Sequence, residues 1–120
     1  MSRKRLEKIG FVRLTTWGIR NGKLKPANIF LPDRTSCLYA FVIGRTVKYV
    51  GLTKGKLISR MDHYSYSPQE PNARIRENIL EALQAGKSVA ILGRVDVPPG
   101  DLEREESRLI RELRPQWNRT

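Results

Sequence analysis

Two tyrosines, Tyr39 and Tyr49, lie ten positions apart in neighbouring apolar runs of strand length. Gly44-Arg45 separates the runs 37–43 and 47–52, which predicts two antiparallel strands and brings the two phenols near one another. A phenol with an ordinary pKa of about 10 is a poor base at neutral pH, so it needs a cation or a proton-accepting neighbour. Either tyrosine alone is more simply a packing residue of a half-buried strand. The pair therefore suggests chemistry only if further groups lie beside it.

One such group is Arg60, on a short helix predicted from position 57 to about position 64. Its guanidinium is permanently charged and presents a fork of donors that matches phosphate oxygens. His63 and Tyr64 follow it by three and four residues. Both spacings place a side chain on the same helix face as Arg60, so either residue could assist a phenol. Arg60 and His63 taken singly are more often surface residues.

Glu106 lies on the last predicted helix, which runs from a capping Asp101 to about position 114 before Pro115 ends it. Asn118 follows that end. Without partners, Glu106 would be read as part of a solvated helix face held by ion pairs at i to i+4 spacing. Asn118 could likewise brace the chain end.

The order and spacing of these residues resemble the GIY-YIG nuclease family over roughly residues 37 to 118. The tripeptide that ends at Tyr39 stands where the family has Gly-Ile-Tyr, and Tyr49-Val50-Gly51 stands where it has Tyr-Ile-Gly. Arg60 matches the family's helix arginine, Glu106 its metal-binding glutamate, and Asn118 its terminal asparagine. Within the family, the chain is most similar to the compact phage endonuclease II-like and restriction-type members.

The chain departs from the family pattern at two places. Cys37-Leu38 replaces Gly-Ile in the first motif, which is a mild change between apolar strand residues. The family often has a histidine four residues after the arginine, where this chain has Tyr64, and its single histidine is at three. Which of His63 and Tyr64 assists the base stays open at this point.

The resemblance implies hydrolysis of DNA phosphodiester bonds with one Mg²⁺ or Mn²⁺ per active site. Glu106 would hold the metal, because a lone carboxylate can anchor an ion that keeps waters and completes its shell with phosphate oxygens. Tyr39, supported by Tyr49, would orient or deprotonate the attacking water. Arg60 would stabilise the charge of the phosphorane, and Asn118 would support the site.

Charge points to the same partner. The chain carries 23 Lys and Arg against 12 Asp and Glu, a formal net charge of +11, which favours a polyanion. Residues 1–34 hold nine basic and two acidic side chains, whereas residues 65–120 hold nine of each. We expect the DNA contacts among the cations of the first half: Arg3, Lys4, Arg5, Arg20, Lys23, Lys25, Lys48, Lys54 and Lys56. The first three are expected to form a flexible, phosphate-touching arm.

The elements that must position these residues describe a small mixed domain. Asn21-Gly22 predicts a tight hairpin turn between a strand at 11–19 and a return strand from Lys23 toward position 31, which Pro26 demotes to an edge or interrupts. A helix is predicted at 73–85, with a stop at Gly86, and a strand at 88–97. The expected fold is α/β (α+β), with a small central antiparallel sheet flanked by helices and an N-terminal β-hairpin extension.

We expect a single nuclease domain over residues 1–120, with a basic hairpin extension at 1–36 and a core at 37–118. Cys37 is the single cysteine, which excludes an intrachain disulfide and a thiolate zinc cluster. No signal peptide or apolar span is recognisable, so we expect a cytoplasmic protein that does not enter membranes.

Cutting both strands of a DNA duplex would need two active sites or two successive binding events, which favours a dimer or tetramer. The alternative function is a non-catalytic nucleic-acid-binding module that uses only the charge.

Overall fold

A single antiparallel sheet forms the centre of the molecule. The computed structural model describes residues 2–27 and 33–118. Within them the strands are β1 (Val12–Arg20), β2 (Lys23–Pro26), β3 (Cys37–Ile43), β4 (Thr46–Thr53) and β5 (Ala90–Arg94). Their order is β2-β1-β5-β3-β4, and each neighbouring pair is antiparallel. β3 is therefore an inner strand, and β4 is an edge.

Helices cover both faces of this sheet. In the described residues they are α1 (Ser2–Lys8), α2 (Leu57–Tyr66), α3 (Asn72–Gln84) and α4 (Leu102–Leu113), with short 3₁₀ turns at Pro99–Asp101 and Gln116–Asn118. The predicted fold class, a central antiparallel sheet flanked by helices, is confirmed. No helix in the described ranges has the length and apolar character needed to span a membrane.

Strand β3 contributes to two separate cores. Tyr39 and Phe41 point to one face, which we call the tyrosine face, where they pack with residues of α2 and α3. Leu38, Ala40 and Val42 point to the opposite, aliphatic face, where they pack with residues of α1 and α4. The run Cys37–Ile43 is continuously apolar because both of its faces are covered.

The N-terminal hairpin is an integral part of the sheet. Its turn residues Asn21 and Gly22 have φ values of 52° and 76°, the positive angles that a type I′ turn requires. β1 pairs with β5 as well as with β2, so the hairpin extends the same sheet. β2 is an edge strand that ends at Pro26, the residue predicted to interrupt it or confine it to an edge; positions 28–31 of the predicted return strand lie outside the described residues.

Three sequence predictions were wrong in detail. The run Arg3 to Arg5 is not a flexible arm, because it lies on α1, whose Leu6 is fully buried on the aliphatic face. The last strand is shorter than 88–97: β5 ends at Arg94, and Asp96 has a φ of 58° that is incompatible with a strand. Asp101 precedes α4 but does not cap it with its side chain, because its carboxylate instead accepts a hydrogen bond from Arg104 at 2.6 Å.

Candidate active site

Three tyrosine hydroxyls meet on the tyrosine face. Tyr39 comes from β3, Tyr49 from β4 and Tyr64 from α2. The hydroxyl oxygens of Tyr39 and Tyr64 are 2.5 Å apart, and the Tyr64 hydroxyl donates to that of Tyr49 at 3.3 Å. Tyr39 and Tyr64 are fully buried, whereas Tyr49 keeps 8% of its surface exposed. The hairpin therefore brings the two predicted tyrosines together, and α2 adds a third.

Arg60 joins this cluster one helical turn before Tyr64. Its Nε donates to the Tyr39 hydroxyl at 3.0 Å, and its Nη2 donates to the Tyr64 hydroxyl at 3.2 Å. The guanidinium carbon also lies 4.8 Å from the centroid of the Tyr64 ring. Among the described residues no carboxylate lies within ion-pair distance of Arg60. Neutral phenols hold the guanidinium in place and leave its charge available to an anion.

Gly51 is the cross-strand partner of Tyr39 on β4. A Cβ at this position would lie 2.5 Å from both the Cζ and the Oη of Tyr39, which is far inside van der Waals contact. The Tyr39 ring therefore extends across the strand at the one place where the backbone has no side chain. The sequence analysis noted Gly51 as part of a motif but assigned it no function. Its position two residues after Tyr49 was the signal that could have drawn attention to it.

Glu106 approaches the cluster from the aliphatic side, on α4, which packs beside the edge strand β4. Burial raises the pKa of its carboxyl group, Glu103 raises it further, and the positive charge of Arg60 lowers it in part. Within the described part of the chain, Glu106 makes no hydrogen bond or salt bridge. A half-buried carboxylate without a hydrogen-bond or ion-pair partner among the described residues is an oxygen ligand that a cation would stabilise.

The donor set around Glu106 suits only one kind of metal site. The described residues contain no group of three or more His, Cys, Asp or Glu side chains that could hold an ion. A protein cage for zinc or calcium would need more ligands. A lone carboxylate fits Mg²⁺ or Mn²⁺, which keep several waters and take their remaining oxygens from a substrate phosphate.

The structure separates His63 from Tyr64. The Tyr64 hydroxyl contacts Tyr39, Tyr49 and Arg60, as described above. His63 is exposed on the other side of α2, where its ring lies 6.4 Å from the ring of the exposed Tyr66. Helical spacing alone left the two residues equivalent, but only Tyr64 points into the cluster.

Asn118 braces the edge of β4. Its Nδ2 donates to the carbonyl oxygen of Val50 at 2.9 Å, and its Oδ1 accepts from the amide of Val50 at 2.9 Å. Because both ends of the carboxamide are occupied, Asn118 positions the strand that carries Tyr49 and Gly51. It acts on the site through the backbone.

Burial also determines the protonation state of the tyrosines. It raises the pKa of Tyr39 well above the ordinary value, mainly by desolvation, and the Arg60 charge offsets only part of that rise. Desolvation raises the pKa of Tyr64 in the same direction. Both phenols are therefore neutral at neutral pH, and a preformed phenolate is unfavourable.

The cations expected to touch DNA are scattered. Arg3, Lys4 and Arg5 lie on α1, across the sheet from the tyrosines, and Arg20, Lys23 and Lys25 lie on the hairpin at the sheet edge opposite β4. Several are paired with carboxylates: Arg3 with Glu7, Arg5 with Glu112, Lys54 with Glu103, and Lys56 with Asp33. Lys48 donates to Gln116 Oε1 at 3.0 Å, beside the 3₁₀ turn that holds Asn118.

Comparison with known proteins finds similar solved structures. No family model and no curated protein matches the sequence. A mutant of bacteriophage T4 EndoII superimposes with a TM-score of 0.80 at 20% sequence identity, covering 99% of this chain and 100% of that one. The chain shares the fold of this phage endonuclease. The likeness confirms the suspected resemblance at the level of the fold, and it extends through the N-terminal helix and hairpin that precede the motif region.

Proposed function

We propose that the protein is a metal-dependent DNA endonuclease of the GIY-YIG type. The observation that carries the proposal is the cluster of Arg60 with three tyrosine hydroxyls, together with the half-buried carboxylate of Glu106, which is influenced by the Arg60 charge and has no ion-pair partner in the described ranges. The shared fold with T4 EndoII supports it, since that fold belongs to a phage nuclease. The net charge of +11 supports DNA as the substrate.

Glu106 would hold one Mg²⁺ or Mn²⁺, which supplies a Lewis acid for the phosphate and the departing 3′ oxygen. The Arg60 guanidinium would stabilise the charge that grows on the phosphorane oxygens. Its donors not used by tyrosines are free for that contact.

The tyrosines would position the attacking water. Tyr39 is fully buried, and its hydroxyl is fixed by Arg60 and Tyr64, so it would act on the water through these neighbours. Tyr64 passes the hydrogen-bond chain to Tyr49, the most exposed of the three. The attacking water would bind at Tyr49, the exposed end of this chain, where its proton can leave to solvent. His63 has no place in that chain.

A monomer with one such cluster cuts one strand per encounter. Double-strand cleavage, of the restriction or phage kind, would need a homodimer or tetramer that presents two clusters to one duplex. Cross-linking during cutting of a supercoiled plasmid, compared with the ratio of nicked to linear product, would test this.

The deciding experiment compares cutting with binding. Supercoiled plasmid is incubated with the purified protein in Mg²⁺, in chelator, and with Glu106→Ala in Mg²⁺, and a gel shift is run on all three. We expect nicking only in the first sample and DNA binding in each of them. Equal binding in every sample with no cutting of plasmid, single-stranded or branched DNA would instead establish the non-catalytic binding module.

A further inference from the structure

A groove runs along α3 beside the tyrosine cluster. It consists of two cavities that share Arg74. The first, of about 520 Å³, is lined by Tyr49, Glu70, Pro71, Arg74 and Asn118, so it opens directly onto the most exposed tyrosine of the cluster. The second, of about 400 Å³, continues from Arg74 past Lys48 and Asn78 to Lys87. The groove therefore leads away from the candidate active site along the protein surface.

The sequence of α3 builds one wall of this groove. Arg74, Asn78, Ala82 and Ala85 recur at spacings of four, four and three, so they form one stripe of the helix. From Arg74 to Ala85 the helix rises about 16 Å at about 1.5 Å per residue. At about 3.4 Å per nucleotide along one strand of a duplex, that length spans roughly five phosphates.

Two of the cations in the groove are held by neutral partners. Arg74 donates from Nη1 to the carbonyl oxygen of Trp117 at 2.9 Å, and Lys48 donates to Gln116 at 3.0 Å. Each bond fixes the side chain while leaving further N–H donors unused. Lys87 is exposed at the far end. These cations differ from Arg3 and Arg5, whose charges are already paired with carboxylates.

Two carboxylates stand at the rim. Glu70 and Glu81 are both exposed, and neither forms a salt bridge with the groove cations in the described residues. They leave the groove with little net charge. Binding of a polyanion here would therefore depend on individual contacts at the three cations, with little help from a broad positive potential.

We infer that this groove binds the sugar–phosphate backbone of the DNA strand next to the cut, with Arg74, Lys48 and Lys87 each contacting a phosphate. The inference rests on the proposed function and adds the path of the substrate. Sequence reasoning missed Arg74 and Lys87, because they lie in the half of the chain that has no excess of positive charge.

The test counts phosphate contacts by their salt dependence. Affinity for a short fluorescent DNA duplex is measured in chelator, without cutting, over a range of salt concentrations. The double variant Lys48→Gln/Lys87→Gln is compared with Lys8→Gln/Arg111→Gln, which removes the same charge at exposed residues of α1 and α4. Removing two phosphate contacts lowers the slope of log affinity against log salt by about two, while the control keeps the wild-type slope. Arg74→Gln is expected to lower it by about one.

An unchanged slope in the groove variant would overturn the inference, and so would an equal loss in the control. An RNA duplex of the same sequence is measured in parallel, and tighter binding of RNA than of DNA would overturn the assignment to a DNA strand. Plasmid nicking with an unchanged slope would refute the groove alone. A slope that depends on the groove in a protein that never nicks would refute the endonuclease and keep the groove.

Discussion

The two faces of the sheet differ in what their side chains can do. The tyrosine face buries three phenols whose hydroxyls bond to one another and to Arg60. The buried cluster of the aliphatic face is built of Leu, Val, Ala and Phe side chains. A single strand, β3, serves both faces by the alternation of its side chains. The comparison predicts that changes on one face alter mainly activity, and that changes on the other alter mainly stability.

The two sides of the sheet also differ in how their arginines are paired. Arg5 on α1 is bound to Glu112 on α4 at 2.9 Å, which ties two helices of the aliphatic side together. Arg60 is bound to phenols, so its charge is not neutralised by a contacting carboxylate. Of these two arginines, Arg60 is therefore the one whose position suits a phosphate.

Leu6→Ala should give the largest change in stability. Leu6 is fully buried and anchors α1 on the aliphatic face. We expect a loss of about 2–5 kcal/mol in the free energy of unfolding, as for other buried leucines, measured by urea denaturation. At a temperature where the variant remains folded, its nicking rate should match the wild type. A selective loss of nicking in the folded variant would break the separation of the two faces.

Gly51→Ala should lower activity strongly. The added methyl group would displace the Tyr39 ring from its position at Arg60. Since a displacement of about 1 Å can cost about a hundredfold in rate, we expect a loss of that order in plasmid nicking. Gly18→Ala is the matched control, because a Cβ there would meet only the Lys25 carbonyl oxygen at 3.8 Å. Equal activity of the two variants would show that the Tyr39 position is unimportant.

Tyr64→Phe tests the choice between the two residues that helical spacing left equivalent. It removes the hydroxyl that links Tyr39, Tyr49 and Arg60. Unsatisfied partners cost about 1–3 kcal/mol, so a loss of about tenfold in nicking is expected. His63→Ala should leave the rate unchanged. The reverse pattern would transfer the assisting role to His63.

Alkaline pH should reduce the contribution of the tyrosine face to the free energy of unfolding. Burial raises the pKa of Tyr39 and Tyr64, so above the ordinary phenol pKa of about 10 the unfolded chain loses these protons while the folded protein retains them. Their contribution to stability is constant below that pH and declines as the pH rises above it. Urea unfolding across this range would measure the decline. It should be smaller in Tyr64→Phe, and an equal decline would contradict the assignment.

Local signals in the sequence predicted much of the fold. Asn21-Gly22 fixed the hairpin because few residue pairs tolerate two positive φ angles. The apolar run Cys37–Ile43 predicted a strand, and the run is continuous because both faces of that strand are covered. Helix α1 was missed because Leu6 is the single strongly apolar residue within a short basic run, which gives no periodicity to recognise.

The sequence suggested which residues belong to the candidate site, but it did not determine how they are arranged. Tyr39, Tyr49, Arg60 and Glu106 carry a recognisable order along the chain. The structure joins the first three in one hydrogen-bonded cluster with Tyr64, and the Arg60 charge influences Glu106. The choice of Tyr64 over His63 depends on the rotation of α2 about its axis, which three- and four-residue spacings do not determine. The groove at Arg74 depends on packing between α3 and the C-terminal 3₁₀ turn, elements distant in sequence.

The most direct test of the account is a matched pair of glutamate substitutions on α4. Glu106→Gln and Glu112→Gln remove the same charge from the same helix, but only the first removes the carboxylate beside Arg60. Nicking rates are measured under single-turnover conditions across a range of Mg²⁺ concentrations. We predict a loss of about a hundredfold or more for Glu106→Gln at every Mg²⁺ concentration and a wild-type rate for Glu112→Gln. Equal rates for the two variants would contradict the placement of the metal, and with it the assignment of the chemistry to this edge of the sheet.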